Sequence, residues 1–193
     1  MTLRSTWLSV KVVSRCFLAT VESFLVNIQR RIYFGRYLNM ITEIRTCLWF
    51  DSGLGQEAAK FYCSLLPNSR VDAVYLGEPG HGNIINFTLA GAPYQILDAG
   101  PHFTLTEAVS ISVETEDQAE TDRLWSALTA DGGEESHCGW LKDRYGLSWQ
   151  VYPKRLTELT FGADREVAAK AIEVMMKQRK IDIAAIEAAV LSN

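Results

Sequence analysis

Slid along itself by 63 positions, the chain matches itself without a gap over Thr46–Leu65 against Val109–Leu128. Leu48-Trp49-Phe50-Asp51 falls on Ile111-Ser112-Val113-Glu114, and Phe61-Tyr62-Cys63-Ser64-Leu65 falls on Leu124-Trp125-Ser126-Ala127-Leu128. Self-similarity at a fixed spacing marks a duplicated supersecondary unit, and a duplicated unit constrains topology more than any single motif does. Each copy opens on an alternating strand, with Thr46, Leu48 and Phe50 on one face of the first and Val109, Ile111 and Val113 in the second. A helix follows in each. The first is predicted from Gly55 to Leu66, stopped by Pro67; the second runs from Asp117 to Ala130, stopped by Asp131-Gly132-Gly133.

Three more strands complete the first copy: Arg70 to Leu76, Asn83 to Leu89 and Pro93 to Leu97, the last two joined by a hairpin at Gly91. In the second copy, Cys138 to Lys142 and Leu147 to Tyr152 flank Asp143-Arg144-Tyr145-Gly146, with a weaker strand near Glu134–His137. Tyr94-Gln95-Ile96-Leu97 is set against Trp149-Gln150-Val151-Tyr152 as the closing strands. The unit is β-α-β-β-β, twice. One half-apolar sheet with one helix buries itself poorly, so the two copies should share a core. The expected class is α+β, with two βαβββ repeats forming a shared cup-shaped sheet and C-terminal helices. One tail helix opens at Asp164, with Val167, Ala171, Ile172 and Met175 as a stripe; another opens at Asp182, with Ile183, Ile186 and Val190.

Domain boundaries follow. Residues 1–39 are a basic extension, 40–160 the paired domain with repeats at about 44–98 and 107–153, and 161–193 a helical tail. The extension carries six basic residues and one acid, whereas the rest of the chain is strongly acidic. Phe17, Leu18, Val21, Phe24, Leu25 and Ile28 recur at helical spacing. An Arg-rich, acid-poor composition fits a targeting presequence, and a secretory signal is disfavoured by Glu22 within the apolar stretch. The preferred reading is an upstream extension with Met40 as the natural start. The formal net charge of −4 argues against nucleic-acid binding, and no apolar run is long enough to span a membrane. Cys16, Cys47, Cys63 and Cys138 show neither C-x-x-C spacing nor a zinc pattern, so free thiols in a reducing cytoplasm are expected.

Several stretches carry a resemblance. They are Leu48-Trp49-Phe50-Asp51 with Phe61-Tyr62, Gly100-Pro101-His102-Phe103 with Thr106-Glu107-Ala108, the run Cys138 to Val151 (CGWLKDRYGLSWQV), and Lys180-Ile181-Asp182-Ile183-Ala184-Ala185. Over about residues 41–190 the chain resembles the PhnB-like branch, labelled 3-demethylubiquinone-9 3-methyltransferase, of the vicinal oxygen chelate superfamily. That superfamily includes glyoxalase I, extradiol dioxygenases and bleomycin-resistance proteins. The resemblance implies the glyoxalase/bleomycin-resistance fold, a cup, and a site within it.

The superfamily's metal enzymes place His or Glu on the first and last strand of each repeat, around one divalent ion. Carried over by strand alternation, those positions are Arg45, Gln95, Ala108 and Gln150. Arginine repels a cation, alanine has no donor atom, and a glutamine carbonyl is a weak neutral ligand, so no metal and no cofactor is expected. Arg45, Trp49, Gln95 and Gln150 are the candidate ligand-binding residues. Trp49 offers a stacking surface, the glutamines a donor and an acceptor each, and Arg45 a partner for an anion. Packing alone is the competing account of the same residues, with Arg45 paired to Glu43 or Glu107.

His102 and His137 could serve in proton transfer, although a structural role is the simpler reading. His137 and Cys138, placed on one strand, should point apart. The Gly-rich stretch Gly77–Gly82 lies between strands, not before a helix, and so does not read as a nucleotide cradle. The expected function is metal-free binding of a small organic molecule by a homodimer. The alternative is an enzyme, either the methyltransferase of the family label or a metal-dependent glyoxalase or dioxygenase type.

Overall fold

The computed structural model describes residues 43–78 and 81–192; the basic extension read from the sequence lies outside them. Residues Arg45–Asn193 form one compact unit. The first repeat runs β1 (Thr46–Phe50), α1 (Gly55–Leu65), β2 (Arg70–Tyr75), β3 (Asn83–Leu89) and β4 (Ala92–Asp98). The second runs β5 (Ser110–Thr115), α2 (Gln118–Thr129), a 3-10 turn over Ala130–Gly132, β6 (Glu134–Glu135), β7 (Trp140–Lys142) and β8 (Ser148–Pro153). The helix starts, Gly55 and Gln118, keep the spacing of the sequence match. The α+β class and the doubled βαβββ unit are as expected.

Each repeat keeps its own four-stranded sheet, ordered β1-β4-β3-β2 and β5-β8-β7-β6. The opening strand of each pairs parallel with the closing strand, and the other ladders are antiparallel. At the β3–β4 hairpin, Ala90 and Gly91 are both left-handed, the conformation a two-residue turn needs to follow strand twist. The Asp98 side chain at the end of β4 accepts from Gly53 N and Gly55 N at 3.0 and 2.8 Å, which anchors the entry to α1. A Cβ at Gly55 would lie 2.7 Å from the Ile96 side chain, so only glycine lets the helix seat this closely.

One hydrophobic core joins the repeats. Leu48, Phe50, Tyr62, Ile85, Phe87 and Ile96 from the first meet Ile111, Leu124, Leu128, Leu141, Trp149 and Val151 from the second. The strand residues among them are the helix-facing positions that alternation assigns, and Tyr62, Leu124 and Leu128 cover them from the helices, so the opposite face of each sheet is left open.

The tail holds three helices: α3 (Lys154–Thr160), α4 (Arg165–Met175) and α5 (Ile183–Leu191). Asp164 and Asp182 cap the last two, as expected. The sequence reading did not resolve α3. Its Leu156 and Leu159 pack with Ala171, Ile181 and Ile186 of the tail. The stripe on α4 also shifts. Ala168 and Ala171 are buried, while Ile172 is exposed.

Candidate functional site

Alternation along β8 puts Trp149 and Val151 in the core and Ser148, Gln150 and Tyr152 on the open face. The ladders add Ser110, Ser112 and Glu114 from β5 and Trp140 and Lys142 from β7 to that face. The tail turns this face into two adjoining clefts. One, of about 460 Å³, is lined by Glu114, Trp140, Gln150 and Tyr152 from the strands and by Thr157, Phe161, Ile172 and Met175 from α3, α4 and the turn between them. The other, of about 580 Å³, is lined by Glu107, Glu134, His137, Lys142, Ser148 and Met176, among others. Cys138 and Trp140 line both.

The wall between the clefts depends on a left-handed pair, Cys138 and Gly139. Their amides donate to Gln178 O and Arg179 O at 2.9 and 2.8 Å, tying the approach to β7 to the tail. A Cβ at Gly139 would stand 2.9 Å from Val151 O, so glycine is required for this approach. The strand expected from Cys138 therefore starts at Trp140, and the argument that His137 and Cys138 diverge along a strand does not hold. Both line the larger cleft. Cys138 Sγ lies 3.5 Å from Met176 Sδ.

Polar contacts set the floor. Gln150 Nε2 donates to Ser110 Oγ at 2.9 Å. Thr157 Oγ1 donates to Glu114 Oε2 at 2.8 Å, and the Ser112 and Tyr152 hydroxyls are 3.2 Å apart. Lys142 Nζ donates to Glu107 Oε1 at 2.7 Å and holds that carboxyl below the usual carboxylate range. Ser148 Oγ is buried without a hydrogen-bond partner.

The other three candidates from the sequence lie elsewhere. Arg45 Nη1 donates to Tyr94 O at 3.3 Å and sits 3.8 Å from Asp72. Asp72, an acid on β2, is thus one of its partners. Gln95 lies opposite Cys47 and Asn86 on the open face of the first sheet and donates to Asn86 Oδ1 at 2.9 Å. Burial pushes the Cys47 thiol up. Trp49 Nε1 donates to Gly100 O at 2.8 Å, with Phe103 and His102 at the edges of its ring. It lines a third, smaller cleft with Phe103, Lys142 and Tyr145. Gln150 and Trp49 therefore line separate clefts.

The ladders also refine the match of the closing strands. Cys47 pairs with Gln95, while its counterpart Ser110 pairs with Ser148. The counterpart of Gln95 is thus Ser148, two residues before the Gln150 chosen from sequence. Trp140, Ser148, Tyr152 and Glu114 were not singled out as site residues. Ser148 and Tyr152 were reachable by stepping two residues either way from Gln150, whereas Trp140 and Glu114 needed the register.

The residues present do not fit a divalent metal. With Ser148 in place of Gln150 or beside it, the four positions still supply no carboxylate or imidazole. Among the described residues no three His, Cys, Asp or Glu side chains gather where they could hold an ion.

The paired sheets define a protein of the vicinal oxygen chelate superfamily. Residues 42–152 match the family described as 3-demethylubiquinone-9 3-methyltransferase, and the chain belongs to that family, the PhnB-like branch. A PhnB protein from Bacillus cereus with the same description is 31% identical, with a TM-score of 0.52 over 58% of this chain and 99% of that one. A Pseudomonas aeruginosa protein is 22% identical, with a TM-score of 0.47 over 58% and 98%. The fosfomycin resistance protein FosX from Listeria monocytogenes is 16% identical, with a TM-score of 0.46 over 62% and 97%. No curated protein matches the chain.

Proposed function

We propose that this PhnB-like protein binds a small organic molecule without a metal ion, on the open face of its second sheet. The observation that carries the reading is the pair of adjoining clefts sharing Trp140, each within the size range of small-molecule sites. Glu114, Gln150, Tyr152 and Thr157 bring polar groups to a wall completed by apolar side chains, the usual make-up of such a site. Trp49, Gln95 and Arg45 belong to a separate region and are proposed as supporting contacts of the first repeat. The homodimer expected from sequence remains part of the proposal, supported by the exposure of Phe161 and Met176, which line the clefts. So does a cytoplasmic location, which free Cys47, Cys63 and Cys138 favour.

The family description favours a second reading, methyl transfer to a demethylubiquinone. The site speaks against it. Transfer from S-adenosylmethionine normally uses a doubly wound parallel sheet with a Gly-rich turn before a helix. Here Gly77 and Gly82 flank a loop between two antiparallel strands. Metal analysis of the purified protein should find only substoichiometric divalent ion, and calorimetry should find no heat with S-adenosylmethionine. An equimolar bound metal would overturn metal-free binding, and saturable cofactor heat would favour the transferase.

A further inference from the structure

The charge lining the two clefts is lopsided. Glu107, Glu134 and Glu135 line the larger and Glu114 the smaller, whereas Lys142 is the one lysine or arginine among the described residues lining either. Lys142 is committed to Glu107. Glu135 accepts from Trp125 Nε1 at 2.8 Å and has Arg179 at 3.9 Å, outside the cleft lining. Glu134 lies directly across the ladder from Lys142, whose ammonium bonds Glu107. Lys142 thus pairs with Glu107, and among the described residues Glu134 makes no ion pair. Glu114 accepts from a neutral hydroxyl, that of Thr157.

Two further features point to what would complete this arrangement. Ser148 is 2% exposed, its hydroxyl has no partner, and it lies on the open face beside Lys142 in the larger cleft. A buried hydroxyl without a partner is costly unless something supplies a hydrogen bond. Trp140 forms the wall common to both clefts, and an indole face is the best aromatic partner for a cation. An anionic ligand would have to displace Glu107 and would still meet Glu134. A neutral ligand would leave the excess carboxylate as it is.

From the carboxylate excess, the orphan hydroxyl and the shared indole wall we infer that the clefts take an organic cation. Its class is a primary or secondary ammonium on an aromatic or aliphatic body. The inference rests on the reading of these clefts as the ligand site. The ammonium sits between Glu134, Ser148 and the face of Trp140, donating N–H to the serine oxygen. The body lies against Met175, Met176, Ile172 and Phe161. A quaternary ammonium, with no N–H for Ser148, binds less well.

The test compares 2-phenylethylammonium, 2-phenylethanol and 3-phenylpropanoate, three probes of similar body and different charge. Binding to the full chain is followed at the Trp140 indole N–H resonance, assigned with Trp140→Phe. The ammonium should shift that resonance saturably, and added salt should weaken it. Glu134→Gln, an exposed change that leaves the core untouched, should weaken binding about threefold. Ser148→Ala should weaken it by about fivefold. Equal or tighter binding of the alcohol or the propanoate at Trp140 overturns the cation inference and leaves the small-molecule site standing. Ammonium affinity unchanged in both Glu134→Gln and Ser148→Ala overturns the assigned position. If no probe moves the Trp140 resonance in folded protein, the clefts are not the ligand site and both readings fall.

Discussion

Asp143 is the most constrained side chain of the turn between β7 and β8. It is buried, and its carboxylate accepts from Trp149 Nε1 at 2.8 Å, Tyr145 N at 2.8 Å and Leu147 N at 3.1 Å. Burial pushes this carboxyl up, and the indole and amide donors pull it only part of the way back. Burial and the charge of Asp143 together push the Tyr62 phenol up, although the Tyr62 hydroxyl makes no hydrogen bond of good geometry. The raised carboxyl means that the folded state favours the protonated form. Its contribution to stability is full below the unfolded aspartate value and is lost as pH rises through the folded one. Trp149→Phe removes a donor to the charged form and raises the folded value further. It should cost about 2 kcal/mol at pH 7 on top of lost packing. The hydrogen-bond part should fade as pH falls through the raised folded values and be gone below the unfolded value of about 4, where the carboxyl is protonated in both states. Urea unfolding of both proteins at the two pH values checks this, and a pH-independent difference would refute the coupling. The sequence showed Asp143-Arg144-Tyr145-Gly146 as a turn. That Trp149 reaches back to the aspartate needed the strand pairing.

At the scale of elements, the strands and helices of the repeat were legible because burial alternates along them in the same order twice. Leu48 and Phe50 on β1 and Ile111 on β5 are core residues, as the pattern required. The pattern failed where main chain, not side chains, decides. The approach to β7 is bent by Cys138 and Gly139, and the partners of their amides lie in the tail, about forty residues away. Helix α3 was missed because it starts directly after β8 and offers only Leu156 and Leu159 to the core, too few for a period. The tail is therefore part of the cleft and not an appendage. Ile186 on α5 is fully buried against Leu156, Leu159 and Ile181. Ile186→Ala should cost about 2–4 kcal/mol. Because Cys138 N and Gly139 N are held by residues 178 and 179, the same variant should speed hydrogen exchange at these two amides more than at β3. Unchanged protection of Cys138 and Gly139 in the destabilised variant would show that the tail does not brace the cleft wall.

For the whole molecule, the question is whether the two repeats behave as one body. The contacts between them are specific. Tyr62 meets Trp149 edge to face at 5.3 Å between ring centroids, and the Arg144 guanidinium lies 4.3 Å from the Phe61 ring centroid. Tyr145 Oη donates to Glu57 Oε1 at 2.8 Å, and Arg123 Nη2 donates to Leu65 O at 2.7 Å. Each of these joins α1 or its end to the second repeat. The buried rings on either side of the contact are the large apolar groups that each sheet would otherwise expose to water, a loss of roughly 1.5–3 kcal/mol per side chain. Duplication explains why the fold could be read from the chain and the clefts could not. The repeat encodes the face that is buried, which both copies share. The clefts are built on the other face, by the tail helices and by residues such as Trp140 and Ser148 that have no like partner in the first copy. If the core is common, Ile85 and Phe87 on β3 and Trp149 and Val151 on β8 must open together. Native-state hydrogen exchange in low denaturant should give these four amides one free energy of opening, equal to that of global unfolding. Residues 43–98 expressed alone should show no dispersed amide spectrum, since their helix-facing side would lack its cover. Two distinct opening energies, or a folded isolated repeat, would mean that the halves are merely tethered.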